Sequence, residues 1–354
     1  MSSMSPSSAE SGMPASTRRN SVTMGNNSYI GVLLRLIGTE LYKIRRRAMS
    51  KVLSIVALII MVLFFFIISI GSFFVLASPS ATFLSVSSCL STTKTSAPCA
   101  NQSPTQAELN QAKLNALTTV STPLRLPSSL DVALQLIGVV GVVMIVILTG
   151  TIVGGEYSVG TIRLMFTRGP TRTQFFLAKL GAVLVCIILG VLVMVPLGML
   201  TGALLNLFTG IGTNFSFLTM SWFLHSLLKL LITMLSLFMF AAIALCLSTL
   251  GKATAAGIAG ALIWWGLESI IGSILLLIGN ETSGSLGTIA KAIPNFFIGN
   301  SISTLSQNQD TYITSNVLRA GSVPDWQALL VLAVYLIVFI GIAWWVNQKR
   351  DVTN

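Results

Sequence analysis

Charge is what this sequence has least of. Only 9% of its 354 residues are charged, against roughly a quarter in an ordinary soluble domain, so the chain cannot clothe itself in a water-facing surface. Histidine is scarcer still. The single His225 excludes a His-rich metal site within one chain and argues against a Ser-His-Asp triad. Its place at the outer end of an apolar run, four residues before Lys229, is that of an interfacial polar group. A phosphate-binding loop is missing as well: the nearest approach, "CLSTLGKAT", has Cys246 where the first Gly belongs and Ala253 after Lys252. That stretch reads better as a short turn between two spans. Nor is there a repeat of 20 to 50 residues or a duplication of three spans into six, which weakens the case for an inverted-repeat secondary transporter. With no catalytic set in view, the chain is expected not to be an enzyme, to hold no metal or cofactor, and not to bind or hydrolyse ATP itself.

What the sequence has in abundance is long apolar runs. Apolar residues make up 53% of it, and a spanning helix needs about 20 of them in succession. Six windows qualify: 52–77, 131–153, 178–205, 226–249, 254–278 and 328–346. The first follows a basic cluster but is longer than a secretory signal and lies further from the N-terminus, so it reads as a signal anchor. The net charge of +11 reports topology rather than a nucleic-acid partner. With both termini inside, most Lys and Arg face the cytoplasm, leaving Lys94, Lys113, Arg125, Lys229, Lys291 and Arg319 outside. The expected protein is an all-α, six-span, multi-pass protein of the cell membrane.

Between the spans, residues 1–28 are rich in Ser, Pro, Gly and Asn and read as a disordered cytoplasmic tail ahead of a membrane domain over 29–354. Over residues 30–47, Leu33, Leu34, Ile37, Leu41 and Ile44 recur at helical spacing opposite Arg35, Thr39, Lys43 and Arg46. This predicts an amphipathic helix in the inner interface, or alternatively an extension of the first span. The outer segments 78–130 and 279–327 are long and polar; the first holds a helical patch around "PTQAELNQAKLNALTTV", and both are too weakly patterned for a specific assignment. The uncharged, aromatic connection from Asn206 to Ser221 belongs in the outer interface. Cys186 and Cys246 fall in spans, whereas Cys89 and Cys99 lie outside, where oxidation would permit a small disulfide loop. Glu268 is the one acid well inside an expected span. Substrate contact, structural hydrogen bonding and ion coupling all remain open to it. Small residues in "GTIVG" and "AGIAG" allow close helix approach, within the chain or between copies.

The connection "GGEYSVGTIRLMFTRGPTRTQFFLAK", from Gly154 to Lys179, is charged out of proportion to its surroundings. Read as a helix, it puts Glu156, Gly160, Arg163 and Thr167 on one face and Val159, Ile162, Met165 and Phe166 largely on the other. Gly169 and Pro170 end it, and Thr171 or Thr173 can begin the next helix. Topology alone explains Arg168, Arg172 and Lys179 as membrane-edge anchors. The ordered series Glu156, Gly160-Thr161, Pro170, Arg172 and Lys179 goes further: it resembles the connection between spans two and three in permease subunits of type-2 ABC transporters, the exporter class. That resemblance implies a cytoplasmic coupling helix docked on a separate ATPase, with ATP and Mg²⁺ held by the ATPase. It implies coupling roles for Glu156, Gly160, Thr161, Arg163 and Thr167, a connecting helix over Leu33 to Arg47, and a homodimer or a related second permease as partner within the bilayer. Two alternatives stand beside it: a secondary transporter or channel without an ATPase, with Glu268 as its ion site, and a non-transporting membrane anchor of the same family. The topology predicts that, above the background of the native thiols, a cysteine at position 103 reacts with an impermeant thiol reagent on intact cells. One at position 158 should not react; labelling of both from outside would overturn the orientation.

Overall fold

The computed structural model describes residues 29–78, 106–158, 171–209, 217–282, 284–313 and 323–349. Within them the chain is helical throughout, and six helices are long and apolar enough to cross a membrane. In hydrocarbon no water satisfies a free N–H or C=O, so an apolar run of this length resolves into a helix that bonds its own backbone. A first helix, α1 (Tyr29–Arg46), precedes span one, α2 (Ala48–Ala77). Next come α3 (Gln106–Ser121) and span two, in which α4 (Ser128–Leu136) passes through a π-helical turn (Ile137–Gly141) into α5 (Val142–Ser158). Spans three, four and five are α6 (Arg172–Asn206), α7 (Met220–Gly251) and α8 (Thr254–Glu281). Two shorter helices, α9 (Ser285–Ala292) and α10 (Ile298–Ile313), come before span six, α11 (Asp325–Lys349). The expected amphipathic helix, outer helical patch and six spans all have counterparts here. The N-terminal tail and the centre of the connection between spans two and three lie outside the described residues.

Local signals set the helix starts. Thr171 begins α6 with a reciprocal capping box: its hydroxyl accepts from the Gln174 N–H at 3.3 Å, and the Gln174 side chain accepts from the Thr171 N–H at 3.1 Å. The "CLSTLGKAT" stretch is the expected tight turn, with Lys252 in the left-handed region at φ 52° closing α7.

Span four is the centre of the bundle. Of its apolar window 61% is buried, against 6% in span five; spans two, five and six and α10 pack around it. The small-residue stripes make this packing close. A Cβ at Gly154 would stand 2.5 Å from the Thr254 Cα, one at Gly150 would stand 2.6 Å from the Ile258 side chain, and one at Gly257 would overlap the Ser248 hydroxyl. Both stripes therefore seat spans two, four and five on one another within the chain.

After span five the chain turns back. α9 runs beside the end of span five that the charge distribution places outside, here called the outer end, where Gly279 faces the Lys291 stem, and a 3₁₀ turn around the buried Pro294 leads to α10. α10 starts next to Glu268, about 20 Å below the outer end of span five at 1.5 Å per residue. This re-entrant pair occupies a segment without an assignable sequence pattern. The pair is enclosed on one side only: Gly287, Ala290 and Pro294 are buried, whereas Leu286, Ile289, Ile293 and Phe296 are exposed and form an apolar face suited to lipid.

At the opposite end, expected inside and here called the inner end, lie α1, the start of α6 and the end of span six. The Asn347 amide donates to the Arg172 carbonyl at 3.2 Å, Arg172 donates to the Gln348 carbonyl at 3.0 Å, and Gln348 donates to the Thr173 hydroxyl at 2.7 Å. The glycine contacts predict that Gly257→Leu destabilises the bundle by about 1–3 kcal/mol or more through overpacking, read as a lowered Tm in detergent. Gly138→Ala, where a Cβ meets nothing within 4 Å, should leave the Tm unchanged.

Candidate functional site

At the inner end, α1 lies along the start of span three with Ile37 seated over Gly181. That contact turns Glu40 and Ile44 inward. Lys43 then reaches Glu40 at 2.7 Å and Glu156, near the end of span two, at 3.3 Å. The opposite oxygen of Glu156 meets Lys179 of span three at 2.6 Å, and Lys179 also donates to the Ile152 carbonyl at 2.9 Å. Two carboxylates and two ammonium groups thus form one balanced chain across three elements. Balance is required here, since an unmatched buried charge costs several kcal/mol. Burial works to lower the pKa of Lys43, but Glu40 and Glu156 outweigh it and hold the ammonium above its ordinary value.

The placement refines the sequence reading. Glu156 was expected on a face open to a partner, yet it is 5% exposed and engaged by Lys43 and Lys179. Lys179, read as a membrane-edge anchor, is equally buried. Arg172 keeps an edge position, holding span six to span three. Gly160, Thr161, Arg163, Thr167 and Arg168 lie outside the described residues, as do Cys89 and Cys99. Cys186 and Cys246 are free thiols within spans three and four.

Glu268 accepts from the Gly299 N–H at 2.8 Å and so stands at the N-terminus of α10. The first N–H groups of a helix have no partner of their own and carry a partial positive charge, which suits a carboxylate. Of the three readings open to Glu268, structural hydrogen bonding is the one with a geometry behind it.

A second polar cluster lies toward the outer end. Lys229, expected on the outer side near the start of span four, is 1% exposed and binds Asp131 of span two and Asp310 of α10 together. Gln135 donates to the other Asp131 oxygen at 3.1 Å. One turn before Lys229, His225 stacks on Tyr312 with ring centroids 3.9 Å apart, its Nδ1 2.7 Å from the Gln309 carbonyl oxygen. Burial pushes the Asp310 carboxyl above its ordinary value against the pull of Lys229. Sequence reasoning missed this cluster. Its available signal was a Lys inside one expected span and an Asp opening another at the same membrane face; Asp310 had none, because its segment carried no pattern.

Comparison with known families matches residues 126–353, more than half of the chain, to a family described as "Protein of unknown function (DUF2705)". No curated protein matches the chain. The outer cluster predicts that Lys229→Met, which leaves two carboxylates facing each other in a buried site, costs about 3–5 kcal/mol and sharply lowers the Tm and the yield of monodisperse protein. Adding Asp131→Leu and Asp310→Leu should recover most of the loss, whereas no recovery would mean that the ammonium is not held by those two groups.

Proposed function

We propose, for a chain that belongs to the DUF2705 family of unknown function, the role of membrane-spanning subunit in an ATP-driven exporter of the type-2 ABC class. A separate ATPase subunit would hold ATP and Mg²⁺. The observation that carries this reading is the ordered series Glu156, Gly160-Thr161, Pro170, Arg172 and Lys179 between spans two and three of a six-span chain. The Glu40–Lys43–Glu156–Lys179 chain supports it physically. Both ends of the connection enter the membrane through a network that also grips α1, so a force on the connection acts on α1 and two spans at once.

In this reading the protein is a multi-pass protein of the cell membrane with both termini in the cytoplasm, working as a homodimer or beside a related permease. Its cargo is a small molecule, a peptide or a lipid. Arg163, with Gly160, Thr161 and Thr167, faces the ATPase, while Glu156 and Lys179 are the root through which the connection is held. ATP drives the cycle because the inward- and outward-facing states differ in affinity for ATP or cargo, without which a ligand moves no equilibrium. A second reading, an ion-coupled transporter that needs no ATPase, draws on the Asp131–Lys229–Asp310 cluster rather than on Glu268.

Purification with endogenous partners separates the two. The wild-type chain should retain an ATPase, and Arg163→Glu should lose it at unchanged Tm. Glu156→Lys, which sets a third cation beside Lys43 and Lys179, should loosen α1 and uncouple hydrolysis from transport. Transport by the chain alone in proteoliposomes, or coupled transport at wild-type rate by the Glu156→Lys variant, would overturn the proposal.

A further inference from the structure

Spans one and two follow each other in sequence but scarcely touch, span one being held instead by span three and α3. The gap between spans one, two and three is a cavity of about 410 Å³, within the range of single-ligand sites. Its wall is almost wholly apolar, with Met61, Met144, Met194 and Cys186 giving adaptable surface and Gly141 and Gly190 giving room. Leu58, Leu189 and Val193 on its rim are about half exposed, so the cavity opens sideways into the bilayer.

Length and charge specify an occupant. The lining runs along span one from Ser50 to Met61, roughly 16 Å at 1.5 Å per residue, close to the ~15 Å hydrocarbon depth of one leaflet. At the Ser50 end stands Arg47, which bridges the gap by donating one N–H to the Thr151 carbonyl of span two at 3.2 Å. The rest of its donor fork is left for another acceptor. Arg45 and Lys51 flank it in sequence, exposed and without a protein partner among the described residues. The neighbouring carboxylates, Glu40 and Glu156, are engaged by Lys43 and Lys179. The mouth of the cavity is therefore a net positive site at headgroup level, the setting in which basic residues between spans hold anionic headgroups.

We propose that this crevice binds one anionic phospholipid of the leaflet on the α1 side, with an acyl chain between spans one, two and three and its phosphate on Arg45, Arg47 and Lys51. The site does not depend on the ATP-driven reading above. It is tested on the full chain in nanodiscs holding equal phosphatidylglycerol and phosphatidylcholine, each in turn carrying a mid-chain diazirine, with crosslinked peptides mapped by mass spectrometry. The wild type should crosslink the anionic lipid at Met144 and Met194 about tenfold more than the zwitterionic one. Gly190→Phe should lose the crosslink about tenfold, because a Cβ there meets nothing within 4 Å and the ring fills the crevice. Arg45→Gln with Lys51→Gln should keep an acyl crosslink but lose the headgroup preference. Equal labelling by the two lipids in the wild type would overturn the proposal irrespective of any variant. So would an undiminished crosslink in a folded Gly190→Phe chain, or, with photo-methionine in place of Met144 and Met194 and unlabelled lipid, chain-to-chain crosslinks from those positions, which would make the occupant a second copy.

Discussion

In a bilayer, a charge drawn into protein must bring its counter-charge, because neither water nor lipid tails will supply one. Among the described residues the buried ion pairs follow that constraint and join elements far apart in sequence, while Glu268, which has no counter-charge, is met by a backbone N–H. Glu156 and Lys179, with Lys43 and Glu40, bind spans two and three to α1. Lys229 gathers span two and α10 onto span four. Glu268 fixes the start of α10 to span five. Apolar packing alone would specify these contacts weakly, since lipid tails are as good a solvent for Leu as another Leu is. Close approach at Gly150, Gly154 and Gly257 adds the dispersion contacts that lipid cannot match.

The re-entrant pair shows the same constraint at the level of backbone. α10 buries Ile298, Ser301, Thr304, Leu305, Gln309 and Ile313, a stripe at helical spacing but of mixed polarity. Against water such a stripe would be a poor core. Against span four, which offers His225, Ser226, Lys229 and Thr233 on the facing side, polarity is what makes the helix fit. With Glu268 at its lower end, and Lys229 and His225 near its upper end, α10 is tied at both ends.

These cases mark where the sequence was legible. The six spans were, because length and the absence of charge suffice to identify them. The amphipathic period of α1 and the capping residue Thr171 were legible for similarly local reasons. α9 and α10 were not, because a hydrophobic-period test cannot register a buried face that is polar. The pairing of Lys229, expected at the outer end of span four, was not legible because its partners lie 98 and 81 residues away. Glu156 was assigned an outward face for a related reason: a helical wheel separates polar from apolar without saying whether the polar side meets solvent or a buried ammonium.

Span two is the element that both charge networks share. Its inner end carries Glu156 and its outer end Asp131, and between them Gly150 and Gly154 rest directly on span five. A pull on the inner connection would therefore reach span two through Glu156 and Lys179 and turn it about the glycine contact. The outer end resists, because Asp131 is held by Lys229. The π-helical turn Ile137–Gly141 lies between that pivot and that anchor. Such turns leave backbone hydrogen bonds offset by one residue and often mark functional sites in helices. It is thus the point in span two where displacement at one end can be absorbed while the other stays fixed, and it forms part of the wall of the crevice open to lipid. A lipid seated there would therefore touch the same turn that joins the two halves of span two.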